Sequence, residues 1–222
     1  MTGRAASPHS PRRAERLPSE AVAALAHDGA HSEVRLVGAA LPDQRARGVR
    51  IELAQLHEVD LSGSHLEDLR VADTTVTGAD LANVRAPRAT LSRVRLEACR
   101  MTGAALARAT LRDVIVRDCR VDLATFAGAR LERVAFENCV LAETDFLEAQ
   151  LTSVTFTGCD LSRSDLRGAR LRRCELHRTT LAGLQGVADL RGAALDWADV
   201  VENAAMWATA LGIAILDGDG DR

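Results

Sequence analysis

The cysteines are the first residues whose type and spacing could do chemistry. Four of them recur every twenty residues, and the set is Cys99, Cys119, Cys139, Cys159 and Cys174. Such a column is typical either of a metal or redox site or of small apolar side chains in equivalent structural slots. Zinc prefers four convergent ligands, and this spacing brings no histidine or acidic co-ligand. The structural interpretation is favoured, and we predict no metal and no cofactor.

Three short motifs resemble parts of catalytic or ligand sites. His57-Glu58 lacks the second histidine of a zinc-protease motif, and Gly63-Ser64 lacks the G-x-S-x-G frame of a nucleophilic serine. The alternating aspartates at 217–221 resemble the start of a calcium loop, but the sequence ends before its glutamate. We therefore predict a binding or structural protein with no catalytic residues and no small-molecule substrate.

Composition points to one packed domain without an aromatic core. The chain has 222 residues, is 47% hydrophobic and contains four Phe, two Trp and no Tyr. All 28 basic residues are Arg, and the formal net charge is −3. No apolar run of about 7–15 residues opens the chain as in a secretory signal, and none reaches the roughly 18 residues of a membrane span. With an odd number of cysteines, this predicts a cytoplasmic protein with reduced thiols.

An apolar residue recurs at every fifth position from 36 to 181. The stretch Leu131, Phe136, Leu141, Phe146 illustrates it, and 30 pentapeptides keep the phase without insertion. Neither a helix nor a strand has a period of five. Repetition of this kind indicates a solenoid, in which each unit buries its apolar face against its neighbours.

The residue two places before each centre shows how many pentapeptides make one turn. Taken every twentieth residue, these positions form columns of one type: Ala89, Ala109, Ala129, Ala149 and Ala169; Val94, Val114, Val134 and Val154; and the four cysteines. Equal residues recur because they stack in successive coils. A coil therefore has four sides of five residues, with Leu or Phe on the axis and a small residue at each corner.

This sequence resembles the pentapeptide-repeat family, whose loose consensus is A(D/N)LXX. Matching segments are ADLAN (79–83), ARLER (129–133), CDLSR (159–163), SDLRG (164–168) and ARLRR (169–173). The resemblance implies an all-β fold, a right-handed quadrilateral β-helix over 34–195. Its coils, about seven in number, would lie roughly 4.8 Å apart, with a helix capping the C-terminus.

The N-terminal part departs from the repeat. Residues 1–17 are rich in Arg, Ser and Pro and are predicted to be a disordered tail. Residues 18–33 are predicted to form a capping helix, with Ser19 as N-cap. The stretch 42–48 fits the repeat poorly and predicts an outward loop, while Pro87, after an undersized alanine, predicts a bend.

The C-terminal part, 196–222, is predicted to be a dimerisation cap with an acidic tail. A helix is expected over 196–212, with Asp196 as N-cap and Gly212 as C′, followed by a short strand at 213–216. At 100° per residue, one apolar face forms, with Met206 on the opposite side. The residues predicted to form the dimer interface are Trp197, Val201, Ala204, Trp207, Ala208 and Leu211.

The segment 181–216 is similar to the C-terminal caps of pentapeptide-repeat proteins of the quinolone-resistance type. That resemblance implies a homodimer that binds DNA gyrase or topoisomerase IV as a DNA mimic and protects it from poisons. The densest acidic cluster is the candidate partner surface, comprising Asp122, Glu143, Asp145 and Glu148. A DNA mimic is strongly negative, however, whereas 36–181 holds 21 Arg and 20 acidic residues.

Two alternatives stay open. One is a generic protein-interaction scaffold with another partner. The other, less favoured, is a nucleic-acid binder that would contact phosphates through one basic side, because stacking aromatics are lacking. This Arg side comprises Arg70, Arg93, Arg112, Arg130, Arg133, Arg170, Arg172 and Arg173.

Overall fold

The computed structural model describes residues 4–12, 17–19 and 22–215, and most of them form a solenoid of parallel strands. The strands are β1 (Ala30–Ser32), β2 (Arg35–Val37), β3 (Arg45–Arg47), β4 (Arg50–Glu52), β5 (Gln55–His57), β6 (His65–Glu67), β7 (Arg70–Thr77), β8 (Thr90–Glu97), β9 (Thr110–Arg117), β10 (Arg130–Glu137), β11 (Gln150–Thr157), β12 (Arg170–Arg172), β13 (Cys174–His177) and β14 (Ala193–Leu195). The helices are a 3₁₀ helix (Val187–Leu190), α1 (Trp197–Glu202) and α2 (Ala204–Ala210).

Each coil has four sides, as the repeat predicts. The strands β7 to β11 each cover two adjacent sides and pair with the strand twenty residues further on, as in Leu131 with Leu151. The other two sides are joined by turns and pair through single bridges, such as Asp60 with Asp80 and Arg85 with Ala105. Backbone hydrogen bonds therefore run along the solenoid axis on all four sides.

The solenoid has about eight turns rather than the predicted seven, because it begins earlier. β1 at Ala30–Ser32 lies inside the predicted capping helix at 18–33, and it pairs with β4 at Arg50–Glu52. None of the described residues 22–33 is helical, so that prediction is wrong there. The local sequence favours a helix, but stacking on the next coil pairs the backbone as strand and buries Leu25 in the core.

The outward loop predicted at 42–48 is also wrong. Arg45–Arg47 is β3, which pairs with β6, and Ala46 is buried. Gln44 occupies a corner slot because its side-chain carbonyl accepts a hydrogen bond from the backbone N–H of Leu25 at 3.0 Å. The coil also continues through Pro87, whose carbonyl accepts from Asp68 N at 3.3 Å, so the backbone ladder is not interrupted at the predicted bend.

Residues 4–12, here called the strap, lie along the outside of the solenoid. Their backbone donates to side chains in coils far away in sequence, including Glu175 and Asp113. The prediction of a disordered tail over 1–17 is therefore wrong for these nine residues. The strap is ordered despite its low apolar content, because its backbone N–H groups donate to carboxylates on the solenoid.

The axis of the central coils is filled by four phenylalanines. Phe126 stacks on Phe146 with ring centroids 5.2 Å apart, and Phe136 stacks on Phe156 at 5.1 Å. Contacts between the two stacks are edge-to-face, an arrangement that aromatic pairs prefer. Residues twenty apart therefore repeat the same contact in successive coils.

The corner slots hold small side chains that also satisfy backbone carbonyls. The Cys139 thiol lies 3.3 Å from the Val116 carbonyl, and Ser164 Oγ donates to Leu141 O at 2.7 Å. Thiol, hydroxyl and methyl side chains fit the same slot, and the first two add a hydrogen bond there. All five cysteines are buried and free. The structural interpretation of the column accounts for this geometry.

The repeat loses one residue near its C-terminal end. Cys174 pairs with Ala193, nineteen residues later, after the 3₁₀ helix. Gly186 begins this change with φ of 74°, and a Cβ there would lie 2.5 Å from Arg167 N. Only glycine fits this close approach.

The predicted helix at 196–212 is broken in two at Asn203. Its side-chain amide donates to Asp199 O at 2.8 Å and so competes with the helical backbone. The predicted ends are confirmed, since Asp196 precedes α1 and Gly212 has φ of 73°. Residues 213–215 are not a strand, and 216–222, with the acidic tail, lie outside the described residues.

Candidate protein-interaction surfaces

The Arg side is partly neutralised by ladders of ion pairs between successive coils. Arg93 Nε and Nη2 each lie 2.6 Å from an oxygen of Asp73, and Arg133 holds Asp113 in the same two-point manner at 2.7 and 2.9 Å. Arg112 lies 3.7 Å from Glu132. Within the described ranges the remaining arginines of this side form no ion pair: Arg70, Arg130, Arg170, Arg172 and Arg173.

The predicted acidic cluster lies on two adjacent sides, and most of its carboxylates are already hydrogen-bonded. Asp122 and Asp145 each accept a threonine hydroxyl from the preceding coil, at 2.8 and 3.0 Å. Glu143 pairs with Arg163 at 2.6 Å. Glu148 has no ion pair with another described residue. Arg163 and Arg120, at 2.6 and 3.3 Å, therefore offset the charges of Glu143 and Asp122, whereas a hydroxyl donor leaves the charge of Asp145 in place.

Of the nine large hydrophobic residues that are exposed in the described part of the chain, five lie at the C-terminal end. The side chains of Trp197 and Leu211 are 79% and 75% exposed. Others exposed with them are Val201, Ile213 and Ile215. Terminal repeats of solenoids usually present a polar outer face, so an apolar end indicates a contact surface.

The six predicted interface residues divide between the outside and the inside of this cap. Trp197, Val201, Ala204 and Leu211 are exposed, whereas Trp207 and Ala208 are half-buried. Met206 was expected on the side opposite Trp207, and that prediction is wrong, because both pack against the core. Met206 and Trp207 are adjacent in α2 and lie only about 100° apart around its axis, so both side chains reach the core.

Two polar contacts attach the cap to the last coil and a third joins its two helices; none was recognised in the sequence. Buried Asp199 accepts from Thr179 N at 3.0 Å and from its hydroxyl at 3.2 Å. His177 Nδ1 lies 2.9 Å from Asp196 Oδ1. Trp207 Nε1 donates to Val200 O at 2.9 Å and joins α2 to α1. Asp199 lies twenty residues after Thr179, so the twenty-residue spacing between stacked positions was the signal in the sequence for this contact.

Two neighbouring carboxylates favour the protonated form of His177. Hydrogen bonds to Asp196 first and Glu175 second raise the pKa of His177 above its ordinary value. Imidazolium formation at this position therefore strengthens the contact between the last coil and the cap.

The residues considered for catalysis or metal binding have structural contacts. Ser64 is fully buried and accepts from Gln44 N at 3.0 Å, so its hydroxyl is not presented to a substrate. Burial raises the pKa of the Cys174 thiol, which favours its uncharged form. Across 4–12, 17–19 and 22–215, no three His, Cys, Asp or Glu side chains are placed to hold a metal ion. Nor is any helix in these ranges long and apolar enough to cross a membrane.

Comparison with known proteins identifies the repeat. The family model "Pentapeptide repeat region" matches residues 76–146 and 119–185. The solved structure of HetL, a pentapeptide repeat protein involved in heterocyst differentiation regulation from the cyanobacterium Nostoc sp., is 21% identical. The match covers 76% of this chain and 87% of HetL, with a TM-score of 0.36.

Two further structures are similar. Trypsin-treated QnrB1, a plasmid-mediated fluoroquinolone resistance protein, is 22% identical over 85% of this chain and 100% of its own, with a TM-score of 0.31. Rfr23, from the cyanobacterium Cyanothece, is 18% identical over 55% of this chain and 91% of its own, with a TM-score of 0.22. No curated protein matches the chain.

Proposed function

Because the chain belongs to the pentapeptide-repeat family, we propose that it is a non-catalytic, homodimeric solenoid that binds a partner protein. The observation that carries this proposal is the exposed apolar surface of the cap, formed by Trp197, Val201, Leu211, Ile213 and Ile215. A second copy is the occupant that this surface fits best. It lies at the end of the solenoid, where a two-fold axis would bring two identical apolar patches together.

Oligomeric state tests the dimer. Light scattering of the intact protein is expected to give twice the 23.8 kDa chain mass. Trp197→Glu and Leu211→Glu should shift it towards the monomer mass while the circular dichroism spectrum of the folded chain is retained, because both side chains are exposed in the single chain. Leu123→Glu is the matched control, since Leu123 is 57% exposed on the side of the solenoid. A monomeric wild type would contradict the proposed interface.

A type II topoisomerase is the partner to test first. The support is the similarity of the C-terminal segment 181–216 to proteins of the quinolone-resistance type. The proposed contact surface is the acidic cluster together with the cap. Because Asp122, Asp145 and Glu143 already have partners, the contact would depend on shape and on the cap more than on net negative charge.

The deciding assay is gyrase supercoiling by the enzyme of the native host, with and without a fluoroquinolone, across a titration of this protein. Inhibition alone or rescue from the drug supports the topoisomerase proposal. Because the proposed contact depends on shape and on the cap more than on charge, either effect should weaken only slightly as salt rises. If the protein neither inhibits supercoiling nor rescues the enzyme from the drug, the topoisomerase proposal is wrong, and a scaffold for another protein is then favoured. Binding to duplex DNA that is lost on charge reversal of Arg130, Arg170 and Arg173 would instead support the nucleic-acid alternative, because these arginines have no ion pair among the described residues.

A further inference from the structure

The strap is held on the solenoid mainly by its own backbone. Ala5 N donates to Glu175 Oε1 at 2.7 Å, and Arg12 N donates to Asp73 Oδ1 at 3.0 Å. Between them, His9 N lies 3.1 Å from Asp113 Oδ1, and His9 Nδ1 lies 2.7 Å from the same oxygen. Three carboxylates in different coils therefore accept three backbone N–H groups and one imidazole.

The spacing of these acceptors matches an extended peptide. Asp113 and Asp73 are two coils apart, which is roughly 10 Å at a strand spacing of about 4.8 Å. The three residues from His9 to Arg12 span about the same distance, since an extended or polyproline chain rises roughly 3.1–3.4 Å per residue. Glu175 lies about three coils beyond Asp113, and four extended residues with the reach of a glutamate side chain bridge that gap.

The strap lies in a groove on the outside of the solenoid, between the carboxylates of Glu175, Asp113 and Asp73. The floor of this groove is apolar, at positions where the repeat predicts solvent-facing residues. Ile115 and Ala135 point outward from β9 and β10, yet they are only 8% and 5% exposed. They line a shallow cavity together with Ala5 and Pro8 of the strap. The strap therefore covers an apolar strip flanked by the carboxylate acceptors.

The acceptors are positioned independently of the strap. Arg133 holds both oxygens of Asp113, and Arg93 holds both oxygens of Asp73. The two-point contact with Arg133 is also the main reason that the pKa of Asp113 lies well below its usual range. The groove is therefore organised before a peptide enters it, which lowers the entropic cost of binding.

Pro8 and Pro11 contribute to the extended form of the strap. Each fixes φ near the polyproline value and lacks an N–H, and neither is at a position that donates to the groove. Backbone recognition accepts many sequences, whereas the Asp113 contact selects a donor side chain such as histidine.

We propose that this groove is a binding site for an extended, proline-containing segment of a partner protein, and that the strap occupies it in cis as a competitor. The partner segment would present backbone N–H groups to Glu175, Asp113 and Asp73 and a histidine to Asp113. Because the tethered strap acts at high effective concentration, an external peptide binds only when the strap leaves. The groove does not include the exposed apolar surface of the cap, although Glu175 also contacts His177, and the proposal does not depend on topoisomerase binding.

A full-length variant can release the strap without changing the groove. Replacing Ala5, His9 and Arg12 together by proline removes the three backbone donors and the imidazole. The probe is a fluorescein-labelled peptide of the sequence RAASPHSPR, residues 4–12, followed by fluorescence polarisation. The apparent Kd is expected to be at least about tenfold lower with the triple-proline variant than with the wild type.

The control variant carries Ala6→Pro and Ser10→Pro, at positions whose N–H groups do not bond to the groove, and it should behave as wild type. Adding Asp113→Asn to the triple-proline variant should weaken peptide binding. Equal binding by wild type and variant, or binding by neither, would overturn the proposal. Rapid hydrogen exchange at the amides of Ala5, His9 and Arg12 in the wild type would also overturn it, because a docked strap protects them.

Discussion

Two stretches of the solenoid follow one repeat but are packed differently. In the coils around Phe126, Phe136, Phe146 and Phe156, aromatic rings fill the axis and are almost fully buried. In the preceding coils the axis holds smaller side chains, including Ala86, and an apolar cavity of about 90 Å³ remains. The five-residue period therefore specifies the backbone path, while the side-chain volume at each centre decides whether the axis is filled.

The largest expected effect comes from opening the filled coils. Phe136→Ala should lower the free energy of unfolding by roughly 3–5 kcal/mol, because it removes a buried ring and leaves a cavity between stacked neighbours. Urea denaturation followed by far-ultraviolet circular dichroism measures this change. A loss below about 1 kcal/mol would show that the coils collapse around the gap and that the two stretches do not differ in rigidity.

The opposite change is expected in the stretch that is not filled. Ala86→Leu places a larger side chain in the wall of the existing cavity and should stabilise the protein by about 1 kcal/mol. The matched control is Ala129→Leu, a fully buried corner position among the phenylalanines, where overpacking should cost about 1–3 kcal/mol. Destabilisation by both substitutions would mean that the cavity cannot accept the added volume.

The filled coils are also where the sequence predicted the structure best. Axis and corner positions from Leu36 to Leu181 lie where the period places them, because stacking gives each residue a neighbour twenty positions away. The candidate acidic residues lie on the sides that the repeat gives them, but their hydrogen bonds to neighbouring coils were not predicted, and their role as a partner surface stays a prediction. Periodicity specifies position, and it carries less information about which charges are already paired.

The ends were predicted poorly because their contacts do not follow the period. The strap is attached through backbone N–H groups, which every non-proline residue has, so its own sequence gave no signal. The signal was on the other side of the contact, in the outward apolar residues Ile115 and Ala135. At the C-terminus the Asn203 side chain breaks a pattern that otherwise reads as one helix.

A corner position should be far less sensitive than an axis position in the same coils. Cys139→Ala removes one sulfur atom and its hydrogen bond to the Val116 carbonyl, and it should cost about 1 kcal/mol. Cys139→Ser is the companion variant, because serine occupies the equivalent slot at Ser164. Equal losses for Cys139→Ala and Phe136→Ala, or metal in the purified protein that is lost with Cys139→Ser, would contradict the structural role of this column.

The smallest expected effect is a pH-dependent change in the stability of the cap that the solenoid does not share. The folded pKa of His177 is raised, first by Asp196 and then by Glu175. Its contribution to stability is therefore fully present below the unfolded pKa of about 6.5 and is lost as pH rises through the folded pKa. Because His177 is more than one third exposed, the loss should be only about 0.2–1 kcal/mol.

Both tryptophans lie in the cap, so their fluorescence reports on it, while circular dichroism reports mainly on the solenoid. On going from pH 6 to pH 8.5, the urea midpoint from fluorescence should fall relative to that from circular dichroism. His177→Gln should remove this difference, because glutamine does not titrate. His57→Gln is the matched control, since His57 lies in β5, far from the cap, and this variant should keep the difference. If the cap instead becomes more stable as pH rises, the result has the opposite sign to the one that the raised pKa requires. The attachment of the cap would then depend on Asp199 and on packing alone.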